Sequence, residues 1–164
     1  MIIYTTLKQQ DLDAVSAQAL FSRFMPDHAP VRLQRFDQYE INGPFDDALM
    51  HEVIRTSHVF YNPNKHRLIT STDQFSASGT YVRVSRKSPL NLADKATRLV
   101  QFAPNMLVDT VTHAELWRLQ FSTTPSPDSV LRTFVMSSPQ NHAVLAHPLI
   151  HDAQVLTRDD IHCV

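Results

Sequence analysis

Two stretches of this chain share one pattern, VFYNPNKH at residues 59–66 and VLAHPLIH at residues 144–151. Each stretch has a proline at its fifth position and a histidine at its eighth. A segment with helical spacing of apolar residues precedes each stretch, and a short β-like run follows it. Such similarity between two halves predicts two copies of one small folding unit. The repeat motif, as we call these positions, consists of Asn62, Pro63, His66, His147, Pro148 and His151.

Strand-like runs surround the two copies of the repeat motif. β-branched and aromatic residues predict strands at residues 2–7, 81–85 and 108–121. Shorter β-like runs follow the two copies, at residues 67–70 and 153–157. Each half therefore begins and ends with a strand.

Apolar residues at helical spacing predict two helices in each half of the chain. Asp11 and Asp128 are predicted to cap two of the helices, and Asp46 and Asp47 lie in the first turn of another. The stripes expected to face the core are Leu12, Val15, Ala19, Leu20 and Phe24; Phe45, Ala48, Leu49 and Val53; Leu92, Ala96, Leu99 and Val100; and Val130, Leu131, Phe134 and Val135.

A change of phase within residues 31–41 predicts a bulge or a hairpin between two strands. Each half then reads strand, helix, strand pair, helix, strand, which is the order of the ferredoxin-like unit. The expected fold class is α+β, a tandem repeat of two ferredoxin-like (βαββαβ) units that form a pseudo-dimer. The predicted units span residues 1–72 and 80–164, and the small, polar residues 73–79 form a linker between them.

Composition disfavours several classes of protein. The chain has 164 residues and a formal net charge of -1, without the basic excess that is typical of nucleic-acid binders. Its 2 glycines form no phosphate-binding loop, and its 1 cysteine, Cys163, cannot form a disulfide within the chain. No apolar run has the length of a membrane helix, and the N-terminus has no pattern of a signal peptide. We therefore expect a cytoplasmic protein that binds neither nucleic acid nor membrane.

No catalytic motif, metal site or cofactor site is predicted. His147 and His151 are four residues apart, and on a continuous helix they could share one metal ion. Pro148, however, moves the residue before it away from the helical region of backbone space. This favours two solvated histidines at the start of a helix over a metal site.

The end of the second helix, the motif VLAHPLIH and the strand that follows resemble PurS, the small subunit of phosphoribosylformylglycinamidine synthase. That family ends its second helix in a leucine pair, a small residue and Asn-Pro, with a glutamate shortly after. Asn62 and Pro63 keep the Asn-Pro, whereas His147, His66 and His151 depart from the family pattern. Two copies in one chain resemble the fused PurS-like N-terminal domain of the single-chain large synthase.

The resemblance implies a non-catalytic assembly or regulatory module linked to purine biosynthesis, with a synthetase or a glutaminase as its protein partner. Modules of this kind hold the two enzymes and help to deliver ammonia between their active sites. The residues alone leave two alternatives open. One is a small enzyme that uses a histidine-lined cleft between the two repeats, with His113, His147 or His151 as base or ligand. The other is a sensor that binds a metabolite at the interface of the repeats, and a homo-oligomer stays open as well.

Overall fold

The computed structural model describes residues 1–123, 125–130, 144–147 and 149–163. The strands within these ranges are β1 (Ile2–Leu7), β2 (Arg32–Asn42), β3 (His66–Ile69), β4 (Thr80–Arg86), β5 (Thr110–Gln120) and β6 (His151–Leu156). The helices are α1 (Leu12–Phe24), α2 (Asp47–Ser57), α3 (Ala93–Phe102) and α4 (Pro127–Val130). All six strands belong to one antiparallel sheet in the order β3-β1-β2-β5-β4-β6. The α+β class is thus confirmed.

The strands of the two halves pair in the same pattern. In the first half β1 lies between β2 and β3, and in the second half β4 lies between β5 and β6. The halves meet where β2 pairs with β5 along its whole length, from Arg32 opposite Gln120 to Asn42 opposite Thr110. The strand order is therefore equivalent when read from either edge of the sheet, with β2 and β5 as the central pair.

The predicted strand pair within residues 31–41 is wrong. β2 runs without interruption from Arg32 to Asn42, and residues 1–72, which the structure describes throughout, contain three strands and not four. The phase changes because both faces of β2 are buried. Phe36 packs on one face of the sheet, whereas Tyr39 and Ile41 pack on the other, under helices. The first half therefore does not form the βαββαβ unit.

Helix α1 forms where predicted, but the prediction of its buried face is wrong. Asp11 caps the helix, since its carboxylate accepts the Asp13 backbone N–H at 2.9 Å. The buried side chains are those of Ala14, Ala17 and Phe21. The side chains predicted to face the core are exposed instead, to 74% for Leu12, and Val15, Leu20 and Phe24 are exposed as well. The small alanines let the helix approach the sheet closely.

Helices α1 and α3 belong to hydrophobic clusters that contain residues of both halves. Phe21 of α1 packs in a cluster with Val82 and Trp117 of the second half. Leu99 of α3 packs in a cluster with Met50 of α2 and Ile41 of β2, both in the first half. These shared clusters join the two halves on one face of the sheet. No helix within the described residues is long and apolar enough to cross a membrane.

The opposite face of the sheet carries a smaller core. Phe75, inside the predicted linker 73–79, is buried there, and its ring lies 5.1 Å from that of Tyr4 and 5.9 Å from that of Tyr81. The division into separate folding units at residues 1–72 and 80–164 stays a prediction. Beyond Val130, the predicted continuation of the fourth helix lies outside the described residues.

Candidate functional site

A strip of charged side chains crosses the centre of the helix-covered face. The odd-numbered residues of β2 and β5 point to this face, and the outer ones are apolar, such as Ile41 and Leu119. The inner ones are Arg35, Asp37, His113 and Glu115. We call these four residues the central strip. They lie around the middle of the β2–β5 pair, between the two hydrophobic clusters of this face.

Asp37 and His113 form the hydrogen bond at the heart of the strip, with Nε2 of His113 3.1 Å from Oδ1 of Asp37. Burial raises the pKa of Asp37, but the His113 hydrogen bond and the charges of Arg35, His113 and His66 outweigh burial and hold it below the ordinary value. An ionised carboxylate accepts hydrogen bonds only, so Nε2 of His113 carries the hydrogen. In the neutral ring, Nδ1 then keeps a basic lone pair.

Arg35 connects the strip to helix α1. Its guanidinium lies 3.0 Å from the Asp11 carboxylate, 2.8 Å from that of Asp13 and 3.3 Å from that of Glu115. The side chain is only 19% exposed. Burial lowers the pKa of Arg35, but the carboxylates of Asp11, Asp37 and Glu115 together raise it by more. The pKa therefore lies above its ordinary value. Arg35 is thus a fixed cation whose donors point to carboxylates.

A cavity of about 530 Å³ opens beside the strip. Its polar lining comprises Asp37, Arg86, Lys95, His113, Glu115 and His151. Apolar side chains, among them Leu92 and Leu145, complete its walls. The cavity therefore lies where both halves contribute side chains, and it combines an apolar wall with several ionisable groups.

A larger cavity of about 890 Å³ lies on the other side of the strip, along α1. Arg35 lines this cavity and occupies the position in β2 that His113 occupies in β5, two residues before the central acid. The other cations in its lining are Lys8, Arg32 and Arg67. Of these two cavities, only the smaller one is lined by Asp37 and His113.

The two copies of the repeat motif make the same side-chain hydrogen bond. The backbone N–H of Asn62 donates to Nδ1 of His66 at 3.1 Å, and that of His147 donates to Nδ1 of His151 at 3.0 Å. Both histidines are the first residues of their strands, β3 and β6. Pro148 lies outside the described residues. The histidine of each motif closes a turn that leads into an edge strand.

The backbone hydrogen bonds of the two copies also correspond. The N–H of His66 donates to the Asn62 carbonyl at 2.7 Å, and that of His151 to the His147 carbonyl at 2.8 Å. The residue just before each of these histidines also makes a matching bond. Its carbonyl accepts the N–H of Lys8 in the first half and that of Lys87 in the second. Near Pro63, the Lys8 ammonium also donates to the proline carbonyl at 2.6 Å.

The structure changes the interpretation of the histidine pair His147 and His151. The expected helix start is wrong, because His147 lies in a loop and His151 begins β6. Within the described residues no group of three or more His, Cys, Asp and Glu side chains is placed to hold a metal ion. Of the histidines named as base or ligand, His113 and His151 line the smaller cavity.

Reasoning from the sequence named His113 but not the other three residues of the central strip, and it did not name Lys95. A signal for the strip was available, because Arg35 and Asp37 interrupt an otherwise apolar face of a strand. A charged side chain on the buried face of a strand requires a partner. Two such side chains in the middle of a strand therefore predict a polar site there. No local signal marks Lys95, because its place beside the cavity depends on how α3 packs against α2 and β5.

Comparison with protein-family models, with curated proteins and with solved structures gives no match to this chain.

Proposed function

We propose that this chain is a non-catalytic assembly module, a tandem repeat built like a fused PurS dimer, and that it acts in purine biosynthesis. The observation that carries the proposal is the correspondence of the two repeat motifs. Each makes the same turn, with the same histidine acceptor, at the start of an edge strand. Two independent segments would have no reason to share these bonds, whereas two copies of one subunit would.

The positions of the repeat motifs suit a module that holds two partners. β3 and β6 are the two edges of the sheet, so the motifs lie at opposite ends of it. Their tips are exposed, including Asn64 in the first motif and Leu149, 81% exposed, in the second. The continuous sheet and the hydrophobic clusters shared by the two halves hold these two ends at a fixed separation. We propose that one end contacts the synthetase and the other the glutaminase.

The proposal is tested by mixing the purified chain with the phosphoribosylformylglycinamidine synthetase and glutaminase encoded by the same genome. Size-exclusion chromatography with light scattering reports the mass of any complex. We expect a complex that contains all three chains, and glutamine-dependent synthesis that is faster with the chain than without it. Absence of a complex at micromolar concentrations of all three proteins would overturn the proposal.

A matched pair of variants then tests the motif surface. Leu149→Ser changes an exposed leucine in the second motif, and Leu107→Ser changes a leucine that is 63% exposed outside both motifs. We expect Leu149→Ser to weaken the complex and Leu107→Ser to leave it unchanged. Equal effects of the two variants would show that the motif is not the contact.

A further inference from the structure

The smaller cavity contains carboxylates that already have partners. Asp37 accepts from His113 at 3.1 Å. Glu115 accepts from Nε1 of Trp117 at 3.0 Å and lies 3.3 Å from the Arg35 guanidinium. These two acids are therefore compensated by groups of the strip itself. Among the described residues, Lys95 and Arg86 of the same lining form no ion pair.

Lys95 is the most confined of these cations. Its ammonium donates to the Val59 carbonyl at 3.0 Å and lies 5.4 Å from the ring centres of Tyr39 and Phe60. It is half-buried, and within the described residues it forms no ion pair. Burial lowers the pKa of this ammonium group. A desolvated ammonium that donates only to a carbonyl has donors left for an anion.

Arg86 and His151 lie opposite each other in the β4–β6 pair and complete the set of donors. Arg86 is exposed and makes no ion pair with the described residues. Nδ1 of His151 accepts the His147 N–H, so in the neutral ring Nε2 carries the hydrogen and donates. An ammonium, a guanidinium and an imidazole N–H thus line one cavity.

We propose that this cavity binds a small molecule that carries an oxyanion, either a phosphate or a carboxylate group. Lys95, Arg86 and His151 donate to the oxyanion, since charge-assisted hydrogen bonds to such groups are the strong ones. Leu92 and Leu145 contact the apolar part of the molecule. A volume of about 530 Å³ is in the range of small-molecule sites. The proposal goes beyond an assembly role and does not depend on it.

The test is an NMR titration of the isotope-labelled full chain, once with inorganic phosphate and once with citrate. We expect saturable shifts at the amides around Lys95, Arg86 and His151 with at least one of the two anions, and the stronger binder identifies the preferred group. Lys95→Gln and Arg86→Gln should each weaken binding by about tenfold. The control Arg67→Gln, which removes an exposed cation from the larger cavity, should leave the affinity unchanged.

Three outcomes would overturn the proposal. The first is that neither anion gives saturable shifts, and the second is that the shifts map to the larger cavity along α1. Alternatively, Arg67→Gln could weaken binding as much as Arg86→Gln, which would indicate a general response to surface charge. Should Lys95→Gln fail to fold, Arg86→Gln at its exposed position decides the question, because it disturbs no described ion pair.

Discussion

Asp37 and Glu115 lie directly opposite each other at the middle of the β2–β5 pair. Two like charges at facing positions of a sheet destabilise it unless they are compensated. Here each acid has a partner on the opposite strand, a histidine in one case and an arginine in the other. His113 lies 3.1 Å from Asp37, and Arg35 lies 3.3 Å from Glu115. The contact between the two halves therefore includes a facing pair of acids, each with its own partner in the sheet.

Arg35→Met should destabilise the protein more than removal of an exposed charge does. It deprives the largely buried Asp11 and Glu115 of a charged donor, which we expect to lower the free energy of unfolding by about 2–3 kcal/mol. Urea unfolding measures the change, with the exposed Arg98→Met as control. Adding Glu115→Gln to Arg35→Met should restore part of the loss. An effect no larger than that of Arg98→Met would contradict the prediction.

Asp37→Asn should change how stability depends on pH. The pKa of Asp37 is lower in the folded chain than its unfolded value of about 3.9, so the ionised form stabilises the fold. This contribution is fully present above the unfolded pKa and is lost as the pH falls through the folded pKa. Unfolding free energies measured from neutral to acidic pH should show a gap between wild type and variant that closes in acid. A gap that stays constant would refute the assignment.

Phe21→Ala and Leu12→Ala test which face of α1 is buried. Phe21 is fully buried, and its truncation should cost about 3–5 kcal/mol of unfolding free energy. Leu12 is 74% exposed, and its truncation should change stability by no more than about 0.5 kcal/mol. Thermal and urea unfolding of the two variants measure the contrast. Comparable losses would mean that the helix packs with the face predicted from the sequence.

His66→Ala and His151→Ala should have closely similar effects on stability. Each removes the acceptor of one backbone N–H in an equivalent turn, and each should lower the free energy of unfolding by about 0.5–1.5 kcal/mol. His51→Ala in α2 is the control, since His51 caps no such turn. If only one of the two motif variants were destabilised, the turns would not be energetically equivalent.

Local patterns predicted the elements better than their packing. The strands β1, β4 and β5 were confirmed because alternation of side chains is a property of neighbouring residues. The cap of α1 at Asp11 was confirmed for the same reason. The buried face of α1 was not predicted, because Ala14 and Ala17 are too small to dominate a hydrophobic pattern. They are buried because α1 packs on the sheet, against β2, and joins a cluster with Val82 and Trp117 of the second half.

The sequence by itself determined where the chain repeats, where most strands and helices begin, and that His66 and His151 occupy matching places. These features depend on residues a few positions apart, which meet in any fold that contains the element. Only the tertiary structure decided that β2 pairs with β5, that α1 and α3 join clusters containing residues of both halves, and that Lys95 and His113 line one cavity. Those contacts join residues far apart in the chain, and the free energy of burying both faces of one sheet selects them.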